Sequence, residues 1–363
     1  MKLKSLLCIS ALALATTGWA QHRADQQHLS DPKSFSMIMM GDPQNYNKVS
    51  FYQPIFELCT LWAADNIDNL NIKAVLFTGD MVNRNESLPD PASTSEDQSS
   101  KQMYEWVSHC LKRLDNKVPY IISGGNHDYG YTRGDEGFTH MPEYYTYERN
   151  SKFADCLVAA IPNRSGVVSL ENSAYEFKDK NWGKLLVITM EWAPRNAVVD
   201  WAKKLCDSDK YKDHKVILLV HSFLYAKTAA RTKDMSYKIS GDNANNGQEL
   251  WDKFVYPCKN VRLVLCGHTG ARLKNSDMQT IYENNTAYRV DNNSAGKPVH
   301  QMMFNNQFVT KNGGDGWVRI LEFLPDGKTI KVKTYSPLFG ISPMTKQYAH
   351  RTGKCDQFDM VIE

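Results

Sequence analysis

An α/β core followed by a β-rich tail is the fold class this sequence predicts, and three observations carry it. Short apolar runs alternate with segments whose apolar residues recur at helical spacing. Five of the runs end in polar clusters, most of them punctuated by glycine, so those side chains should gather at one sheet edge. From about Val299 onward, strand-like runs follow one another without helices between them. With 363 residues, 42% of them hydrophobic and 11% aromatic, the chain can bury a substantial core as one large domain or two small ones.

The elements follow in order. Lys2 and Lys4, the apolar stretch Leu6 to Ala15 and the small-residue end Gly18-Trp19-Ala20 have the layout of a secretory leader, with cleavage expected after Ala20. A polar lead-in covers 21–35. Met37 to Met40, Ile72 to Phe77 and Val118 to Ile122 read as buried strands. Phe51, Ile55, Leu58 and Trp62 recur at helical spacing between the first two, and Met103 to Leu114 is the helix before the third. Asn83 to Lys101 reads as a long loop, and the Gly/Tyr-rich Tyr129 to Asn150 as an insert at the rim of the site. Lys184 to Met190, Val216 to Val220 and Val261 to Cys266 are further strands. Ala197 to Cys206 is a helix, Ala226 to Gln248 a loop and Glu249 to Val255 a short helix. Val299 to Phe304, Gly316 to Phe323 and Thr329 to Thr334 form the tail, the last two joined by a Pro325-Asp326-Gly327 turn.

Charge and cysteine usage exclude several function classes. Removing the leader takes two lysines and no acid, so the formal charge falls from +3 to +1. No basic stripe suggests a dedicated nucleic-acid surface, and no later apolar run is long enough to span a bilayer. Seven cysteines remain, Cys59, Cys110, Cys156, Cys206, Cys258, Cys266 and Cys355, without a Cys-x-x-Cys pair. Their spacing fits neither a zinc ribbon nor a disulfide scaffold, and Cys59 and Cys266 sit within apolar patterns that suit core burial.

The chemistry lies in the strand-end clusters Asp42-Pro43-Gln44, Gly79-Asp80, Gly125-Asn126-His127-Asp128, His221 and Gly267-His268-Thr269-Gly270. Asp, Asn and His are oxygen and imidazole ligands suited to divalent transition metals. Each taken singly could be a turn or cap residue. In this order they resemble the motifs of the calcineurin-like metallophosphoesterases, and are similar to an exported branch with Gln at the third position of the first motif. Glu191 to Arg195, Asn246-Gly247 and the segment Val299 to Trp317 extend the resemblance, which runs from about Ser36 to Pro337.

The resemblance implies a four-layer α/β/β/α sandwich with two mixed sheets over 36–337, the final strands completing the second sheet, and a C-terminal extension over 338–363. It implies an exported (periplasmic or secreted) hydrolase acting on a phosphoester, with two divalent ions (Mn, Fe, Zn or Mg) bridged by Asp80. Asp80, Asn126, His221 and His268 are the complete ligand set for one ion. Asp42, Gln44 and Asp80 remain for the other, because Gly270 stands where the family has its last His. Such an oxygen-rich site favours Mn²⁺ or Mg²⁺ over Zn²⁺. His127 would protonate or stabilise the leaving oxygen, oriented by Asp128, and Arg195 and Arg272 are candidates for clamping the phosphoryl oxygens. His300 stands either as a replacement imidazole or as a packing residue. A one-metal hydrolase and a non-catalytic phospho-ligand binder are the rival readings. Ester type and oligomeric state are not legible in the residues.

Overall fold

The computed structural model describes residues 27–88, 95–226, 228–233, 239, 243–270 and 285–363. The expected leader and Arg272 lie outside the described residues. β1 (Phe35–Met40), β2 (Ile72–Phe77) and β3 (Tyr120–Ile122) are parallel neighbours. Every residue of β1 is buried, as a strand covered on both faces requires. Helix α1 (Gln53–Asp65) makes the first crossover and buries Phe56, Cys59 and Ala63 at helical spacing. Phe51, which the apolar pattern placed in this helix, lies before it and is exposed. Helix α2 (Ser100–Leu111) starts three residues earlier than its apolar pattern suggests, because Ser99 and Gln102 form a capping box.

The second sheet contains β4 (Leu157–Pro162), β5 (Val168–Asp179), β6 (Gly183–Thr189), β7 (Lys215–Leu219), β8 (Val261–Cys266), β9 (Thr286–Asn292) and β10 (Pro298–Phe304), in the order β4-β5-β6-β7-β8-β10-β9. β6, β7, β8 and β10 run parallel; β4, β5 and β9 pair antiparallel toward the two edges. Alternation along β6 shows how the layers stack. Leu185 and Val187 face the core shared with the first sheet, whereas Leu186 and Ile188 face helix α3 (Asn196–Asp207) through Val198 and Ala202. The result is helices outside each of two facing mixed sheets, the expected four layers.

One expectation needs correction. Of the tail strands, only β10 joins the second sheet; β11 (Val318–Phe323) and β12 (Thr329–Tyr335) join the first, where β11 pairs antiparallel with β1. The outer edge of β1 needs a partner, and stacking of Phe35 on Phe323, with ring centroids 4.5 Å apart, sets the register. Residues 338–363 are integral to this sheet, since β13 (His350–Arg351) and β14 (Phe358–Val361) both pair with β12, and Met360 and Ile362 enter the core.

Candidate metal centre

The parallel strands of both sheets bring their C-terminal ends to one place. Asp42 follows β1, Asp80 follows β2, the turn Asn126–Asp128 follows β3, and His221 and His268 follow β7 and β8. The motif glycines let these loops touch. A Cβ on Gly125 would lie 2.2 Å from the Asp80 amide nitrogen, and one on Gly267 would lie 2.2 Å from Asp42 Oδ1. Asp80 and His268 adopt left-handed backbone, at φ of 52° and 65°. That conformation costs on the order of 1–3 kcal/mol at a non-glycine residue. Hydrogen bonds hold both: the His127 amide donates to Asp80 Oδ1 over 2.8 Å, and the His268 amide to Asp42 Oδ2 over 2.8 Å.

Four side-chain atoms converge beyond these loops. His221 Nε2 is 3.1 Å from Asn126 Oδ1, 3.3 Å from Asp80 Oδ2 and 3.1 Å from His268 Nδ1. His221 Nδ1 faces the Thr78 carbonyl at 2.7 Å and so carries a proton, which leaves Nε2 as the lone-pair atom of the neutral ring. Burial, and then His221, push His268 down to about 3, so its ring is neutral. Three or four acceptors facing one another need a cation between them. Ligands about 2.0–2.2 Å from a common ion stand roughly 2.8–3.6 Å apart, which these separations match. In the metal-free chain a proton takes that part. Burial pushes His221 down, but Asp80 and then Asp42 outweigh it and lift the ring to about 9, while the Asp80 carboxyl is lowered in turn because the imidazoles outweigh its own burial.

The match of the calcineurin-like phosphoesterase family model spans residues 39–272, which contain all of these ligands. The chain belongs to the calcineurin-like phosphoesterase family. It is 26% identical over 308 residues to the uncharacterized protein YvnB of Bacillus subtilis (strain 168), across 84% of this chain but only 20% of that protein's length. Among solved structures it is similar to a 5'-nucleotidase precursor from Thermus thermophilus, with a TM-score of 0.43, 13% identity, and coverage of 83% of this chain and 54% of that one. It is also similar to GAP50, the anchor in the inner membrane complex of Plasmodium, with a TM-score of 0.39, 12% identity, and coverage of 91% and 89%. Among the described residues no helix is long and apolar enough to cross a membrane.

In this chain the other half of the expected two-metal site is built differently. Asp42 Oδ2 accepts from the His268 amide, from Asn305 Nδ2 at 2.7 Å and from Gln307 Nε2 at 3.3 Å, and Oδ1 accepts from Thr78 Oγ1 at 2.7 Å. Gln44 Nε2 donates to Asp80 Oδ2 at 2.8 Å. At Gly270 the space for a side chain is already closed. A Cβ there would meet Asn285 Oδ1 at 2.7 Å and the Phe308 ring at 3.0 Å. His300 does not fill the gap either: its ring bonds the Tyr288 hydroxyl and the Val361 carbonyl, so it packs β9, β10 and β14 together.

His127 lies beside this centre, and its ring Nδ1 donates to the Asn83 carbonyl, 2.5 Å away. That bond corrects one expectation. Asp128 does not orient His127; it accepts from the Gly125 and Val82 amides and locks the turn and the neighbouring loop. Burial, reinforced by Asp80, pushes the Asp128 carboxyl up to about 8. Arg195 is also redirected. It pairs with buried Glu191, at 2.7 Å, rather than projecting toward the ligand cluster as a phosphate clamp. A cavity of about 320 Å³ opens on His127 and Gln44, and its cationic walls are Lys48 and Arg133, with Asn45, Asn83 and Phe308 beside them.

Sequence reasoning missed those cations, which stand outside every motif. It also missed Arg164, which donates to the Trp192 and Ala193 carbonyls and pairs with Glu191 at 3.3 Å. Together with a reciprocal Asn172–Glu191 bond, Arg164 holds Trp192 against His221 and His268, at ring-centroid distances of 5.5 and 5.2 Å. The signal available for this part was the Glu191 to Arg195 string itself, whose role is to support the histidines.

Proposed function

We propose that this chain is an exported, metal-dependent phosphoester hydrolase. The observation that carries the reading is the meeting of Asp80, Asn126, His221 and His268 within ligand distance of one another, beside His127 and a cation-walled cavity. Asp80, Asn126, His221 and His268 would hold a divalent ion, which supplies Lewis acidity to the phosphoryl group and lowers the pKa of an attacking water. His127 does the proton work. With Nδ1–H fixed on Asn83, its Nε2 is the atom left for the leaving oxygen, and burial, though opposed by Asp80, lowers its pKa from the ordinary value. A lowered pKa makes the protonated ring a stronger acid toward a developing alkoxide.

Lys48 and Arg133 draw an anionic ester into the cavity. Trp192 closes the opposite side of the histidines and keeps water from their outer faces. Residues 1–20 would direct export, with cleavage after Ala20. The test is to strip the purified chain with chelator and measure hydrolysis of aryl phosphomonoesters and phosphodiesters on adding Mn²⁺, Zn²⁺, Fe²⁺ or Mg²⁺ separately. Turnover restored by metal is the expected result, and the preferred ester sets the substrate class. Silence in every arm, from a chain that has bound the metal, rejects the hydrolase.

A further inference from the structure

The two halves of the site place different atoms against Asp80. On the side of His221, acceptors face Asp80 Oδ2 and a cation is needed. On the side of Gln44, a donor faces it: Gln44 Nε2 lies 2.8 Å from the same oxygen. The amide orientation of Asn305 on this side is not free. Asn305 Nδ2 donates to the His268 carbonyl at 3.1 Å as well as to Asp42, while its Oδ1 accepts from the Gln307 amide at 3.1 Å. Turning that amide over would set oxygen against two oxygens and nitrogen against N–H, breaking three bonds. Asn305 is therefore a donor to Asp42.

The lone pairs of Asp42 Oδ2 are correspondingly engaged. Oδ2 already holds two short bonds and one long one; Oδ1 holds Thr78 and packs against Gly267. A carboxylate serves as a metal ligand through the same lone pairs. An ion on Oδ2 would have to displace donors from a fully buried acid, and Gly270 brings no ligand in exchange. Gln44 Oε1 is a buried acceptor left without a donor on this side. A neutral amide oxygen is a weak ligand for a divalent ion that lacks carboxylate and imidazole support.

We propose that this chain holds a single metal ion, on Asp80, Asn126, His221 and His268, and that the N–H groups of Gln44, Asn305 and Gln307 stand where the second ion would be. The donors supply partial positive charge toward Asp42 and Asp80 without coordination. Asp42 then acts as a positioning residue: its bond from the His268 amide holds that histidine in its left-handed backbone. The inference rests on the metal-dependent reading above.

The experiment is a metal count. The chelator-treated full chain is dialysed against excess Mn²⁺ and, separately, Zn²⁺, and bound metal per chain is read by elemental mass spectrometry and by calorimetric stoichiometry. One ion per chain is expected. Gln44→Ala and Asp42→Asn should keep that count at one, and His221→Ala should bring it to zero, with circular dichroism confirming the fold of each variant. Two ions per chain, falling to one in Asp42→Asn or in Gln44→Ala, overturns the proposal, and either variant alone is decisive if the other fails to fold. One ion with no turnover on any ester would sustain this inference and reject the hydrolase; no bound ion would reject both.

Discussion

On either side of Asp80 the same family scaffold carries two kinds of chemistry. The histidine side, His221, His268 and Asn126, sets lone pairs against one another and against Asp80, so it needs a cation or a proton between them. The amide side, Gln44, Asn305 and Gln307, offers N–H groups that satisfy Asp42 and Asp80 internally. Strand ends and motif glycines are shared between them, so the backbone does not set the difference. Donor polarity does: a buried carboxylate can be neutralised by an ion, a proton or a ring of N–H groups, and this site uses the choice twice.

The largest expected effect comes from breaking the histidine side. His221→Ala removes the atom to which the other three ligands all lie within 3.3 Å. Metal retention after dialysis should disappear, and metal-restored hydrolysis should fall by roughly three orders of magnitude or more. Retained metal with near-normal turnover would remove the contrast altogether. The next effect separates holding an ion from using it. His127→Ala should cost about 10²–10⁴ in kcat, the usual range for a proton-transfer group, with metal content unchanged. A loss of metal in that variant would move His127 into the ligand set.

Much of the histidine side was legible in the sequence because each ligand ends an apolar run next to a glycine or a strand boundary. Asp80, Asn126, His221 and His268 come from four separate strands, and all four are within reach of one another. The amide side was not legible in the same way. Asn305 and Gln307 follow β10 without glycine punctuation, and amides are common in turns, so nothing in their spacing says that they aim at Asp42. Strands were lost for a related reason. β5 buries Glu171, Asn172 and Ser173 in its first half, and β9 is largely polar, so neither shows the apolar run that marks a buried strand. The assignment of β11 to the first sheet depended on a partner nearly three hundred residues away, which no local pattern encodes.

A smaller effect sharpens the amide side. Asn305→Ala deletes a 2.7 Å donor to fully buried Asp42 and a second bond to the His268 carbonyl. Leaving buried acceptors unserved costs about 1–3 kcal/mol, readable as a lowered chemical-denaturation midpoint with the slope unchanged. Metal affinity on the histidine side should shift by less than tenfold, because His268 keeps its amide bond to Asp42. A large drop in affinity without a loss of stability would mean that Asn305 belongs to the metal centre.

The smallest effect lies one layer behind the histidine side. Burial, and then Glu191 and Asp128, hold the Glu171 carboxyl well above the ordinary carboxylate range, so folded Glu171 keeps its proton at pH values where the unfolded chain has lost it. On the amide side burial, against the pull of His221, likewise lifts the Asp42 carboxyl, to about 7. A folded pKa above the unfolded value gives stability that is fully present below the unfolded pKa, near 4.5, and is lost as pH rises toward the folded one. Glu171→Gln keeps a neutral group beside Tyr129, Asn163 and Ser169, whose bonds to the acid identify the pocket, and removes the titration. The variant's melting temperature relative to the parent should therefore climb as pH is raised from 5 to 8, by at most on the order of 3 °C per pH unit. A constant offset across that range would show that Glu171 is ionised in the folded chain. The buried acids behind the histidines would then need a compensating cation of their own.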